Sequence, residues 1–171
     1  MSLPSDPIAG PPGQETFWST PELVAHGKLL LDSFARLLKY ELVSREGTPL
    51  EQARRLFEAP RVVVSHGTQA DPILSYGNRL ALRLWEIDPE TLMKTPSRLT
   101  AEPLHREARG VLLERTRRDG YVDDYSGIRI SSTGRRFRIE QAIVWNLSDA
   151  AGSHCGQAAT FDQWIPLPAG G

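Results

Sequence analysis

Cysteine is almost missing from this chain of 171 residues: Cys155 stands alone. That excludes an internal disulfide and any zinc site built on several thiolates. An excess of charge is missing too. Twenty Lys and Arg stand against 21 Asp and Glu, a net charge of −1, so the whole chain has no bulk attraction for phosphate backbones or an anionic membrane surface. No apolar run approaches the roughly 20 residues of a membrane span, and the first residues lack the basic start and apolar stretch of a secretion signal. The expectation is a soluble, cytoplasmic protein without a nucleic-acid or membrane partner. Common catalytic signatures are missing as well: the G-x-S-x-G elbow, the phosphate-binding glycine loop and the dinucleotide fingerprint do not occur. The length suits one domain with one core.

What is present divides into two tails and a patterned middle. Residues 1–16 (MSLPSDPIAGPPGQET) are dense in Pro and Gly and poor in apolar anchors, which predicts a disordered or draped tail. Residues 165–171 read as a second tail, so the domain is expected over 17–164. Ser19, Thr20, Pro21 and Glu22 form a helix start signal. Leu30, Phe34, Leu37, Leu38 and Leu42 then recur at three- and four-residue intervals. This stripe fits a core-packing helix or a dimerisation helix, and a homodimer is expected. Residues 50–58 read as a second helix, stopped before Pro60. Arg61–His66 carries three consecutive valines and reads as a central strand. Ile73–Tyr76 is a short second strand, and Asn78 caps a helix over 79–86 that buries Leu80, Leu84 and Trp85. A longer helix opens near Pro103, with Leu104, Ala108, Val111 and Leu112 inward, and Gly120 ends it.

From Tyr121 the period changes to two. Strands are predicted over 121–131, 135–147 and 154–164, joined by turns at Gly134 and Gly152. In the middle strand Phe137, Ile139, Gln141, Ile143, Trp145 and Leu147 share one face, read as core. Two early strands, several helices and a three-stranded meander together give an α+β domain: a five-stranded antiparallel sheet with helices on one face and an added N-terminal helix.

That order, with Ile73-Leu74-Ser75-Tyr76-Gly77-Asn78-Arg79-Leu80-Ala81 after the first hairpin, resembles the PAS fold. Further segments resemble the PAS-like MEKHLA domain family in its stand-alone bacterial form: Ser65-His66-Gly67-Thr68, Asp71-Pro72-Ile73, Tyr121 to Arg129, Gly134 to Ile139 and Gly156 to Phe161. The resemblance runs from Leu23 to Trp164. It departs in lacking the Met-Glu-Lys-His-Leu-Ala string that names the family, and no homeodomain or zipper is present. It implies a sensory or ligand-binding module whose sheet cups a cavity, which in related domains holds a flavin, a haem, a small acid or nothing. Cys155 falls in a strand, outside the helical Asn-Cys-Arg-Phe-Leu-type context of flavin-linked cysteines, and no Cys-x-x-Cys-His haem string occurs. Neither flavin nor haem is supported.

The candidate ligand-binding residues are His66, Tyr76, Asn78, Asp123, Tyr125, Arg138, Gln141 and Gln157. Tyr76 and Asn78 belong to the PAS-like run. His66 ends its strand on the face of Val62 and Val64, where a histidine can titrate near neutral pH or simply bond to a turn. Gln141 is the one polar residue on an apolar face, and a buried amide needs partners, from backbone or from a ligand. Gln157 sits among Gly156, Ala158 and Ala159, small neighbours that leave space above the sheet. Adjacent Asp123 and Asp124 are expected to point to opposite faces. Lysine occurs only at 28, 39 and 94, so arginine supplies 17 of the 20 basic residues. Arg129, Arg135, Arg136 and Arg138 crowd one hairpin, and Arg106, Arg109, Arg115, Arg117 and Arg118 line one helix. Guanidinium forks pair with carboxylates across strands or recognise an anionic ligand. His154 and Cys155 are strand neighbours and cannot ligate one ion together, so no metal is expected. The leading reading is a small-molecule-binding or signal-sensing module with no evident catalysis. Alternatives are a protein-interaction module, with an outer patch of Arg136, Arg138, Val144 and Asn146, and a small enzyme with His66, Asp123 or Asp124 inside the cavity.

Overall fold

A computed structural model of the chain describes residues 16–102 and 106–168. Most of the expected N-terminal tail lies outside those residues, as do Pro103, Leu104 and His105.

Helix α1 spans Pro21–Leu38. Thr20 caps it, its hydroxyl accepting from the Leu23 amide, and Pro21 supplies a pre-set φ in the first turn. Lys39 ends it in the left-handed conformation, so Leu42 lies past the helix. Leu30, Leu31 and Phe34 are fully buried, against Val63, Tyr76, Trp145 and Leu147. Phe34 meets Trp145 edge to face, 5.0 Å between centroids. Leu30 and Phe34 of the predicted stripe are thus spent inside the chain's own core, with Leu37, Leu38 and Leu42 half-buried beside it. Helix α2 (Pro49–Phe57) starts with a full capping box between Thr48 and Glu51.

Strands β1 (Val62–His66), β2 (Leu74–Gly77), β3 (Tyr121–Ile130), β4 (Arg136–Ser148), β5 (His154–Phe161) and β6 (Gln163–Pro166) form one antiparallel sheet. Five strands run in the order β2-β1-β5-β4-β3, and β6 pairs with the start of β4. The first and last extended regions thus lie side by side, Val64 facing Ala159. The last strand was expected to be continuous over 154–164. It breaks at Asp162, and β6 carries pairing on to Pro166, inside the segment expected as a tail.

Helices α3 (Arg79–Trp85), α4 (Pro89–Leu92) and α5 (Arg106–Asp119) and a 3-10 turn (Ser97–Thr100) lie along the chain between β2 and β3. Trp85 of α3 packs with Val62, Phe137 and Phe161, and Leu112 of α5 with Val122 and Val144. Val62 and Val144 alternate with Val63 and Trp145, which meet α1, so these later helices cover the opposite, concave face. In α3, Ala81, Leu82 and Trp85 are buried, whereas Leu80 and Leu84 are only partly so.

Two bulges reset the alternation of the long hairpin. Tyr125 pairs with Ala142 and Gly127 with Ile139, so Glu140 and Gln141 together oppose a single residue, and Gln141 has a φ of 51°. Before the bulge Phe137 and Ile139 are buried on the concave side; after it Ala142 and Val144 are. Gln141 itself is exposed, so it does not share a core face with Ile143, Trp145 and Leu147. On β3, Val122 pairs with Val144 and Tyr125 with Ala142, leaving Asp123 and Asp124 as the extra pair. Both are exposed, not one in and one out.

Candidate functional site

Resetting β3 by one residue turns Tyr125, Gly127 and Arg129 onto the concave face; unbroken alternation from Val122 would have placed Asp124, Ser126 and Ile128 there. Gly127 has a specific use. A Cβ on it would lie 1.9 Å from the Tyr125 hydroxyl, so the missing side chain makes room for that ring. At the other side of the sheet Gly156, at φ 133°, lets β5 approach β1: a Cβ there would meet the His66 carbonyl oxygen at 2.0 Å.

The concave face and its helices frame a partly open cavity of about 60 Å³. Its apolar wall is built by Trp85 from α3, Leu112 from α5, Ile139, Ala142 and Val144 from β4, and Ala159 and Phe161 from β5. The polar residues lining it are Ser65, His66, Ser97, Thr100, Arg109, Tyr125, Arg129 and Gln157. An open cleft of about 420 Å³ lies between the β1–β2 turn and α5, and it shares His66, Leu113 and Gln157 with the cavity.

Helix α5 presents Arg109, Leu112 and Thr116 inward, while Ala108 and Val111, expected inside, are exposed. Polar fastenings hold this helix to the sheet. Gln157 Nε2 donates to the Leu113 carbonyl (2.9 Å) and to Asn146 Oδ1 (3.1 Å). Asn146 Nδ2 donates to the carbonyls of Thr116 and Arg117.

Two guanidinium groups stand out from the other arginines. Arg138 pairs with Glu140, Arg135 with Glu86, Arg136 with Glu102 and Arg115 with Asp124. Arg109 and Arg129 are 9 % and 7 % exposed, and among the described residues neither has a carboxylate within ion-pair distance. Arg109 donates to Ser97 Oγ at 2.6 Å. Arg129 donates to the Ile128 carbonyl and lies 5.3 Å from the centre of the Tyr125 ring. Burial, and then the like charge of Arg129, lowers the Arg109 guanidinium to about 10, which leaves it charged at neutral pH.

His66 Nδ1 lies 3.0 Å from the Gly67 carbonyl oxygen, and its Nε2 is buried with no hydrogen-bond partner among the described residues. Burial lowers its pKa, and the charge of Arg109 pushes the same way. A neutral ring then donates from Nδ1 and keeps Nε2 as an acceptor. Trp85 Nε1 is also buried without a hydrogen-bond partner among the described residues.

Of the eight residues singled out in the sequence, three line the cavity: His66, Tyr125 and Gln157. Tyr76 is buried on the other face of the sheet, with Phe17 and His26 beside its ring, and burial raises its hydroxyl pKa. Asn78 is buried with its amide fully engaged: it accepts from the amides of Val63 and Ala81 and donates to the carbonyls of Leu56 and Arg61. Asp123, Arg138 and Gln141 are exposed. The outer patch expected from Arg136, Arg138, Val144 and Asn146 is not one surface, because Val144 lines the cavity. Arg109 and Arg129 were visible in the sequence only as members of arginine-rich stretches. Their inward placement depends on helix phase and on a bulge.

The MEKHLA domain profile matches residues 24–166. The chain belongs to the MEKHLA domain family. Among solved structures it is similar to the PAS domain of a protein from Colwellia psychrerythraea, with 13% identity, a TM-score of 0.55, and coverage of 68% of this chain and 94% of that one. It is also similar to an RNA-binding light-oxygen-voltage receptor, with 17% identity and a TM-score of 0.55; the match covers 70% of this chain but only 33% of the receptor. These likenesses show that the MEKHLA domain has the PAS fold. Among curated proteins none matches. Among the described residues no helix is long and apolar enough to cross a membrane, and no cluster of His, Cys, Asp or Glu could hold a metal ion.

Proposed function

We propose that this MEKHLA domain is a small-molecule-sensing module whose ligand occupies the cavity between the concave face and helix α5. The observation that carries this reading is the cavity itself: apolar walls with a few polar residues, two of which (His66 at Nε2 and Trp85 at Nε1) carry buried nitrogens with no hydrogen-bond partner among the described residues. The volume of about 60 Å³ is far below the 300–1,000 Å³ of sites for drug-sized molecules, so a flavin or a haem needs a different, expanded cavity.

Helix α5 is the natural reporter of occupancy. It contributes Arg109 and Leu112 to the wall, and it is fastened by side-chain bonds from Asn146 and Gln157 to its last turns. A ligand that binds one placement of α5 better than another shifts the balance between them by that difference in affinity. The enzyme reading is weaker: of the groups it needs, only His66 lines the cavity, and Asp123 and Asp124 are exposed.

The test is a titration with small organic molecules followed by backbone amide resonances. Shifts are expected to cluster at Ala142, Val144, Gln157 and Ala159, and to vanish in Ala142→Leu, which fills the cavity. Equal shifts in the filled variant, or shifts confined to the outer surface, would reject this reading.

A further inference from the structure

We infer that the cavity takes a short monocarboxylate, its charged group held between Arg109 and Arg129 and its alkyl part against the apolar wall. This rests on the cavity being a ligand site and adds the chemical class of the ligand.

Two like charges share one small, largely apolar space. Both belong to nearly buried arginines that line the cavity, and among the described residues neither meets a carboxylate. An isolated buried cation is costly, and buried charges are ordinarily paired. Of the other arginines of the hairpin, the mostly buried Arg136 meets Glu102, and even the exposed Arg135 and Arg138 meet Glu86 and Glu140. A fold that places two such groups on the wall of one cavity is organised for an anion supplied from outside. The size then selects among anions. A water-sized position takes about 10–15 Å³ of such volume, so about 60 Å³ holds on the order of four to six non-hydrogen atoms. Acetate, propionate and pyruvate fit; a dicarboxylate with a longer chain, or a nucleotide, does not. The wall decides between organic and inorganic anions. Ile139, Ala142, Val144 and Phe161 offer contacts to methyl and methylene groups, which a carboxylate with an alkyl part can use and a phosphate cannot. A planar carboxylate also matches the guanidinium fork.

The test compares propionate with its neutral isostere propionamide, and with inorganic phosphate, at constant ionic strength. Binding is read from cavity amide resonances and from the melting temperature. Propionate is expected to bind at least tenfold more tightly than propionamide, to raise the melting temperature, and to outcompete phosphate. Arg109→Met and Arg129→Met are each expected to weaken propionate at least tenfold while leaving propionamide binding within twofold. Each variant, having lost a nearly buried charge with no ion-pair partner among the described residues, is expected to melt no lower than the unliganded parent, so failure to fold is itself an adverse result. Propionamide binding as tightly as propionate overturns the anion assignment but leaves the ligand site standing. Preference for phosphate overturns the carboxylate assignment. Binding of none of the three at the cavity overturns this inference and counts against the underlying reading; other small molecules shifting the cavity amides would then spare the latter.

Discussion

Replacing Asn78 by alanine probes the joint on which the sheet and its concave-side helices are assembled. The residue is fully buried and joins three elements through one amide. Its Oδ1 accepts from Val63 N in β1 (3.0 Å) and Ala81 N in α3 (3.1 Å), and its Nδ2 donates to Arg61 O (2.7 Å) and to Leu56 O in α2 (3.3 Å). Were Asn78 only a helix cap, alanine would cost about 1 kcal/mol. Four buried hydrogen bonds at about 1 kcal/mol each give about 3–4 kcal/mol instead, because each lost bond strands a backbone group. With a urea dependence of about 2 kcal/mol per M, the unfolding midpoint drops by about 1.5–2 M. Asn78→Ser is expected to recover about 1 kcal/mol by restoring the cap alone. Equilibrium urea unfolding followed by tryptophan fluorescence measures all three proteins. A loss of 1 kcal/mol or less for the alanine variant would refute the reasoning, since it would mean that the bonds to Val63, Leu56 and Arg61 contribute nothing.

Three further outcomes are expected. Burial holds His26, whose Nε2 lies 2.9 Å from Ser65 Oγ, at a pKa of about 4 against 6.5 when free; the unfolded chain takes up the proton first, so stability is flat above about pH 7, falls from about pH 6.5 and levels near pH 4. By pH 5 the loss from His26 is about 2 kcal/mol, with His66 shifted in the same direction, and urea unfolding that is unchanged between pH 7 and pH 5 would contradict it. Gly156→Ala forces a Cβ onto the His66 carbonyl at a positive φ and is expected to cost about 2 kcal/mol or more; a thermal melt like the parent's would show that β1 and β5 do not approach so closely. Asn146→Ala removes the bonds to the Thr116 and Arg117 carbonyls, so hydrogen exchange over the last turns of α5 should quicken while β1 and β5 stay protected, and unchanged exchange would mean the helix is held by other contacts.

The strand and helix order was legible because local signals agree with tertiary placement. Pro21 and Thr20 start α1, three valines mark a central strand, and Asn78 caps α3. What escaped the sequence lies at the bulges. Period-two reading assumes unbroken alternation, and the left-handed Gln141 and the paired Asp123–Asp124 each shift it by one residue. That error put Gln141 inside, and it concealed the inward placement of Arg129. Helix phase misled in the same manner at α5: Ala108 and Val111 are the apolar-looking choice, yet the buried line runs through Arg109, Leu112 and Thr116. Its polar members read as surface to any hydrophobic pattern. Polar residues on buried faces are where binding sites tend to break the pattern. His66 and Gln157 were legible because simple alternation places His66 with Val62 and Val64 and small neighbours flank Gln157, and β1 and β5 keep a regular register alongside each other.

A crystal structure of the protein grown with propionate examines the cavity most directly. The expected result is a carboxylate within hydrogen-bonding distance of both the Arg109 and Arg129 guanidinium groups, with the alkyl carbons against Ala142 and Val144. Side chains filling that space, with both guanidinium groups turned out to solvent, would contradict the proposed ligand site and the anion assignment together.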